Sequence, residues 1–254
     1  MTSELVRIAR RGPVCTLTLD SPHNRNALSA RLLDELAEGL AEAAGDPAVR
    51  VVVLTATGSV FCSGADLSEG AGVVASRLPE IMTSVRTARV PVVVRVNGHA
   101  RAGGLGLIAV ADLAVAAEGS TFAFSEVRVG VAPAMIMVPG LHVVDRRFLA
   151  RATLTGETFG ADAAASAGLL SAVVADASGL DAWVQDICAS ILRSAPGAVA
   201  ATKALLGALP GTPWDDGLAA AQARSAELFA GAEAAEGRDA FFHKRAPSWE
   251  VTVP

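Results

Sequence analysis

The chain has 254 residues, 52% of them hydrophobic, and a formal net charge of −5 at pH 7, so it can bury a sizeable core without disulfide or metal staples. Its 21 Lys and Arg residues are scattered along the chain, never more than two in a row, unlike the basic stripe of a nucleic-acid-binding surface. Mean hydropathy is high at +0.43, yet Arg95, Asp112, Pro133 and Pro139 interrupt the apolar stretches before they reach the roughly 18–20 residues of a membrane span.

Met1-Thr2-Ser3-Glu4 has neither the basic nor the apolar region of a secretory signal, and the expectation is a cytoplasmic protein. Cys15, Cys62, Cys188 and the histidines His23, His99, His142 and His243 show no ligand spacing, so no metal or other cofactor is expected. Apolar excess on a chain of this length points to a homo-oligomer that hides hydrophobic surface between subunits.

Residues 5–19 predict a hairpin turning at Arg11-Gly12-Pro13, because Cys15, Leu17 and Leu19 alternate with Thr16 and Thr18. Ser29 is placed to cap a helix whose Leu32, Leu33, Leu36 and Leu40 share one face, ending near Gly45-Asp46-Pro47. The continuous apolar runs at 49–55 and 91–96 are the pattern of strands buried on both faces and paired in parallel. Between them lie a Gly/Ser-rich loop over 57–70 and a helix over 76–89. Short apolar runs follow at 113–116 and 122–124. Beyond about residue 140 the pattern turns mainly helical, over 161–167, 180–192, 196–206 and 214–229. The order of elements predicts an α/β core followed by a helical C-terminal region.

Three segments carry chemistry. Phe61-Cys62-Ser63-Gly64-Ala65-Asp66-Leu67 follows the first buried strand, and a turn of small residues there leaves backbone N–H groups uncovered. Asn97-Gly98-His99-Ala100-Arg101-Ala102-Gly103-Gly104-Leu105-Gly106 follows the second and opens an apolar helix, whose orphan N–H groups and dipole favour negative charge. Its spacing is not that of a dinucleotide-binding loop. In Phe122-Ala123-Phe124-Ser125-Glu126 a carboxylate adjoins an aromatic, apolar strand, where desolvation would raise its pKa toward the range of a useful acid or base. Each segment alone has an ordinary structural reading: a loop, close helix–sheet packing, a solvated glutamate.

In this order and spacing, the three segments resemble the crotonase family, the enoyl-CoA hydratase/isomerase superfamily. The likeness extends to Pro22-His23-Asn24-Arg25-Asn26-Ala27-Leu28, to Leu154-Thr155-Gly156-Glu157 and to Ala240-Phe241-Phe242-His243-Lys244-Arg245. The motif wording is nearest to bacterial hydratases of the 3-methylglutaconyl-CoA type. The resemblance implies a spiral of ββα units over residues 1–195 and a helical region over 196–254 that builds a homotrimer, alone or paired into a hexamer. It implies an acyl-CoA substrate whose thioester oxygen is held by the N–H groups of Ala65 and Gly103, with Glu126 moving the proton. Arg25 and the turn of Ser63, Gly64 and Asp66 would lie around the acyl-CoA, as would Gly104 and Pro133. Phe241 and Lys244 would reach it from a neighbouring subunit.

One departure stands out. Many hydratases of the family carry two glutamates, and Gly106 stands where the first would be. The expected activity is enoyl-CoA hydration, with a single-glutamate enoyl-CoA isomerase and a catalytically silent acyl-CoA-binding protein as alternatives. Arg101 reads either as a surface residue or as a partner for a second carboxylate on the substrate. Met135, Ile136, Met137 and His142 read as acyl-pocket lining or as packing.

Overall fold

The N-terminal alternation produces an antiparallel pair, β1 (Val6–Arg11) and β2 (Val14–Leu19), in register from Val6 opposite Leu19 to Arg11 opposite Val14. The computed structural model describes residues 4–69 and 71–251. Ser29 caps α1 (Ala30–Gly45) by accepting the Leu32 N–H at 3.2 Å, and Leu32, Leu33, Leu36 and Leu40 are all buried. The leucine spacing therefore does what it implies, turning one stripe of the helix to the core.

From there the chain repeats one unit: a strand in a large sheet, a short strand in a second sheet, and a helix. The first unit is β3 (Val51–Ala56), β4 (Val60–Cys62) and α2 (Ala71–Thr87); the second is β5 (Val92–Val96), β6 (His99–Arg101) and α3 (Gly103–Val110). The third is β7 (Leu113–Ala117), β8 (Thr121–Ala123) and α4 (Ala134–Val143). Then α5 (Arg146–Thr155), β9 (Phe159–Gly160), α6 (Ala161–Ser166) and β10 (Ala172–Val174) complete the sheets. The chain continues through α7 (Ala177–Leu192), α8 (Pro196–Ala208), α9 (Trp214–Ala230) and α10 (Ala232–Phe242).

The large sheet runs β1-β2-β3-β5-β7-β10, parallel except for the opening hairpin, and the small one runs β4-β6-β8-β9. Both faces of the large sheet are covered, as its continuous apolar strands require. Val52, Leu54, Val92 and Val94 join the main core, whereas Val51, Val53 and Val93 pack with Cys188 and Leu192 of α7. This is the expected mixed α/β architecture of ββα units.

Two boundaries differ from the sequence reading. The helix after the first loop starts at Ala71 and carries Pro79 inside it. Helix also resumes at Ala134, earlier than the pattern suggested, because α4 contains Pro139 and Gly140, both buried, and its propensity is poor. Gly140 packs against α5, where an added Cβ would stand 3.4 Å from Leu149 Cδ1, an ordinary contact. Among the described residues, no helix is long and apolar enough to cross a membrane.

Candidate active site

The small sheet gathers the chemistry. Strands β4, β6 and β8 are parallel neighbours, with Cys62 opposite Ala100, Ala100 opposite Phe122 and Arg101 opposite Ala123. Their carboxyl ends therefore open on one edge, and each is followed by one of the residues singled out above: Ala65, Gly103 and Glu126. At about 4.8 Å between strands, the outer two ends of this trio lie only about 10 Å apart. Open α/β sheets place ligands at such an edge.

Among the described residues, two backbone amides there have no acceptor in the backbone bonds outside regular elements. Ala65 forms a parallel bridge with Leu28, in which the Leu28 N–H donates to the Gly64 carbonyl at 2.8 Å and the Asp66 N–H to the Leu28 carbonyl at 3.1 Å. That pattern engages the residues flanking Ala65 and turns its own N–H to the other side. Gly103 is the first residue of α3, where N–H groups have no partner within the helix. The helix dipole adds partial positive charge at Gly103.

The turn into α3 is strained. Ala102 sits at φ +48°, ψ −122°, a conformation that costs a residue with a Cβ about 1–3 kcal/mol. Its N–H donates to the Ala123 carbonyl at 3.1 Å, which ties β6 to β8 just before the site. Gly64, at φ +94°, faces it, and a Cβ there would stand 2.8 Å from Ala102 Cβ. Ala102→Gly is expected to raise unfolding free energy by about 1 kcal/mol; an unchanged or lower denaturation midpoint would show that no strain is held there.

Glu126 begins a short 3₁₀ turn, Glu126–Val129, closed by Gly130 at φ +81°. Its carbonyl accepts the Val131 N–H at 3.1 Å. The strand beneath is fixed by aromatic packing: Phe122 and Phe124 are fully buried and stack on Phe159 at 5.8 and 6.2 Å, and Phe148 meets Phe159 edge-on at 5.0 Å. The carboxylate is half-buried, and its Oε2 is buried without a hydrogen-bond partner. Desolvation pushes the Glu126 pKa above its ordinary 4.5, the direction a working acid–base group needs.

The wall one helical turn along α3 is apolar. A Cβ on Gly106 would lie 2.6 Å from Ile136 Cγ2 and 3.4 Å from Met82 Sδ; Ile136 is 2% and Met82 8% exposed. A longer side chain at position 106 therefore has no room while Ile136 stays in place. Met135 lines an open cleft of about 260 Å³ between α2, α3 and α4. Met137 and His142 do not line it. The sequence marked the 135–137 cluster; it carried no signal that Met82 and Arg86, on a distant helix, share the same cleft.

The other candidates divide. Arg25, Ser63, Gly64 and Asp66 are neighbours: the Ser63 N–H donates to the Arg25 carbonyl at 3.1 Å, and Asp66 Oδ2 accepts from Asn24 Nδ2 at 3.4 Å. Asp66 also closes its own loop, accepting from Ser68 N–H and Oγ at 3.0 and 2.6 Å, which pulls its carboxyl below the usual range. Gly104 packs under β4, where a Cβ would stand 2.8 Å from Cys62 Cβ. Pro133 is buried at the start of α4. Phe241 and Lys244 lie exposed at the end of α10. Burial pushes the Cys62 thiol up to about 12, so a nucleophilic role is not supported. Arg101 is committed elsewhere, to the carbonyls of Ala100 and Thr121 at 2.8 and 2.6 Å and to Thr121 Oγ1 at 2.9 Å.

A sequence model of the enoyl-CoA hydratase/isomerase family matches residues 9–252, and the chain belongs to that family. It is 32% identical to the mitochondrial enoyl-CoA hydratase domain-containing protein 3 of Danio rerio over 99% of this chain and 89% of that protein. It is 31% identical to the 2,3-dehydroadipyl-CoA hydratase of Escherichia coli over 98% of this chain and 99% of that protein. A solved enoyl-CoA hydratase of Mycobacterium smegmatis superposes with a TM-score of 0.93 at 34% identity, covering 98% of this chain and all of that one.

Proposed function

We propose that this chain is an enoyl-CoA hydratase that adds water across the 2,3 double bond of an enoyl-CoA thioester, with Glu126 as its acid–base group. The observation that carries the reading is the buried, unpartnered Glu126 Oε2, set at the same sheet edge as the amides of Ala65 and Gly103. The thioester carbonyl lies between the two N–H groups. Glu126 takes a proton from water as its oxygen attacks C3, and the electron pair moves to the carbonyl oxygen, where the two donors and the α3 dipole hold the enolate. The enolate then re-forms the carbonyl as C2 takes the proton back from Glu126. Coenzyme A enters as part of the substrate, and no further cofactor is required.

Arg25 and the turn of Ser63, Gly64 and Asp66 would meet the coenzyme A moiety beside the carbonyl. Residues 196–254 would pack between copies in a homotrimer, single or doubled. Support comes from aromatic side chains with nothing over them in one chain, Trp214, Phe241 and Phe242 being 81%, 78% and 75% exposed. Phe241 and Lys244 would then serve a neighbour's site.

A second reading is favoured by the Ile136 and Met82 wall, which leaves no place for another carboxylate at position 106. In that reading Glu126 removes a C2 proton from a 3-enoyl-CoA and returns it at C4. Turnover of a panel of 2-enoyl-CoA and 3-enoyl-CoA thioesters, with products weighed by mass spectrometry, decides between the two. Gain of one water supports hydration, a shifted double bond at constant mass supports isomerisation, and tight binding without turnover overturns both.

A further inference from the structure

An open cleft between α2, α3 and α4 has mostly apolar walls and one cation, the exposed Arg86. Met82 and Arg86 from α2, Val110 from α3, and Met135 and Val138 from α4 line it. Gly106 is buried and does not line the cleft, but Met82, which does, packs beside it, and Gly103 lies one turn of α3 away. Arg86 lies one turn further along α2 than Met82, about 6 Å. It also lines a second cleft of about 420 Å³ with Arg89, Lys203 and Arg224, to which no acidic side chain contributes.

Of the four cations of that second cleft, two are paired with carboxylates and one is spent on three carbonyls, while Arg86 holds a single carbonyl. Lys203 is paired with Asp112 and bonded to the carbonyls of Val85 and Val90. Arg89 donates to the carbonyls of Ala44, Asp46 and Val49, and Arg224 pairs with Glu227. Among the described residues, Arg86 donates to the Gly207 carbonyl and has no carboxylate beside it.

We infer that the acyl group carries a second carboxylate at its far end, held by Arg86, so the substrate class is the enoyl monothioester of a dicarboxylic acid. This rests on the enoyl-CoA reading above. A methylene chain fills the apolar stretch between α2, α3 and α4, and a planar guanidinium with free donors suits a terminal carboxylate. Arg101 is not available for that task, because Ala100 and Thr121 hold its guanidinium.

The test compares two 2-enoyl-CoA thioesters of equal chain length, one ending in methyl and one in carboxylate, on the unaltered protein and on Arg86→Met. Affinities of the two saturated counterparts are measured by calorimetry. The unaltered protein is expected to favour the carboxylate-ended thioester in kcat/KM by about tenfold. Arg86→Met is expected to abolish that preference mainly through KM, with the methyl-ended thioester changed by less than about twofold. Preference for the methyl-ended thioester, or an equal loss on both, overturns the inference. Absence of turnover on either thioester would sink the hydratase reading instead. The saturated pair would still decide this one: a carboxylate preference lost in Arg86→Met supports the assignment, and equal affinities overturn it.

Discussion

Glutamine in place of Glu126 is expected to lower kcat by about 10²–10⁴-fold while saturated acyl-CoA binding stays within a few-fold. Glutamine keeps the shape but cannot take or return a proton, and the two amides proposed to hold the thioester oxygen belong to other elements. The pH profile gives a second signature. The proposed water addition needs the ionised carboxylate, and burial holds its pKa above 4.5, so kcat/KM should rise with pH through a midpoint above 4.5. The variant's residual rate should lack that limb.

Stability should move the other way. A carboxyl whose folded-state pKa is raised contributes stability below its unfolded pKa, and that contribution is lost as pH rises through the raised value. The ionised Glu126, with a buried Oε2 that lacks a partner, therefore weakens the fold at neutral pH. Glu126→Gln should gain in denaturation midpoint relative to the unaltered chain at pH 7 and lose that gain at pH 4. A variant that is inactive and also less stable at pH 7 would point to a structural glutamate.

Lys203→Met is expected to cost about 3 kcal/mol of unfolding free energy, at the lower end of the range for breaking a buried ion pair from one side. Lys203 is 7% exposed, and its Nζ lies 2.7 Å from Asp112 Oδ2, 2.8 Å from the Val85 carbonyl and 3.0 Å from that of Val90. The same Asp112 oxygen accepts the Val92 N–H at 2.7 Å. One ammonium thus joins α8 to the end of α2 and the start of β5. Burial lowers its pKa, against the pull of Asp112. Methionine fills the channel but removes the counter-charge of Asp112 and the ammonium donor of two carbonyls. Asp112→Asn added to Lys203→Met should recover part of the loss, since no bare charge then remains. A double variant weaker than the single by the full cost of Asp112→Asn alone would show that the pair is not coupled.

Long elements were legible because their periodicity has room to show. The leucines of α1 and the β-branched runs of β3 and β5 each repeat often enough to fix type and facing. The strands that build the site are short: β4 and β6 have three residues each and lie within stretches that read as loop and glycine cluster. Three residues carry no period. Nothing in the local pattern announces that Val60–Cys62, His99–Arg101 and Thr121–Ala123 lie side by side.

The candidate site was marked by motif wording around Ala65, Gly103 and Glu126, and the structure adds that the strands before them are neighbours in one sheet. Gly106 divides the same way. The sequence shows that a glutamate is absent; only packing shows that Ile136 from α4 has taken the space. Arg86 carried no signal at all, because its importance lies in what its neighbours already hold and in the carboxylate it lacks.

Two of the three groups gathered at the end of the small sheet are main-chain amides, at Ala65 and Gly103. Side-chain scanning is therefore blind to most of this centre: one of the two positions is already alanine and the other has no side chain to remove. Only chemistry that deletes the hydrogen itself, such as proline or an amide-to-ester exchange, tests these donors directly. On the proposed reading, neutral drift can rewrite nearly every side chain around these amides without touching the donors, so new substrates are reached by changing the walls while the backbone frame persists.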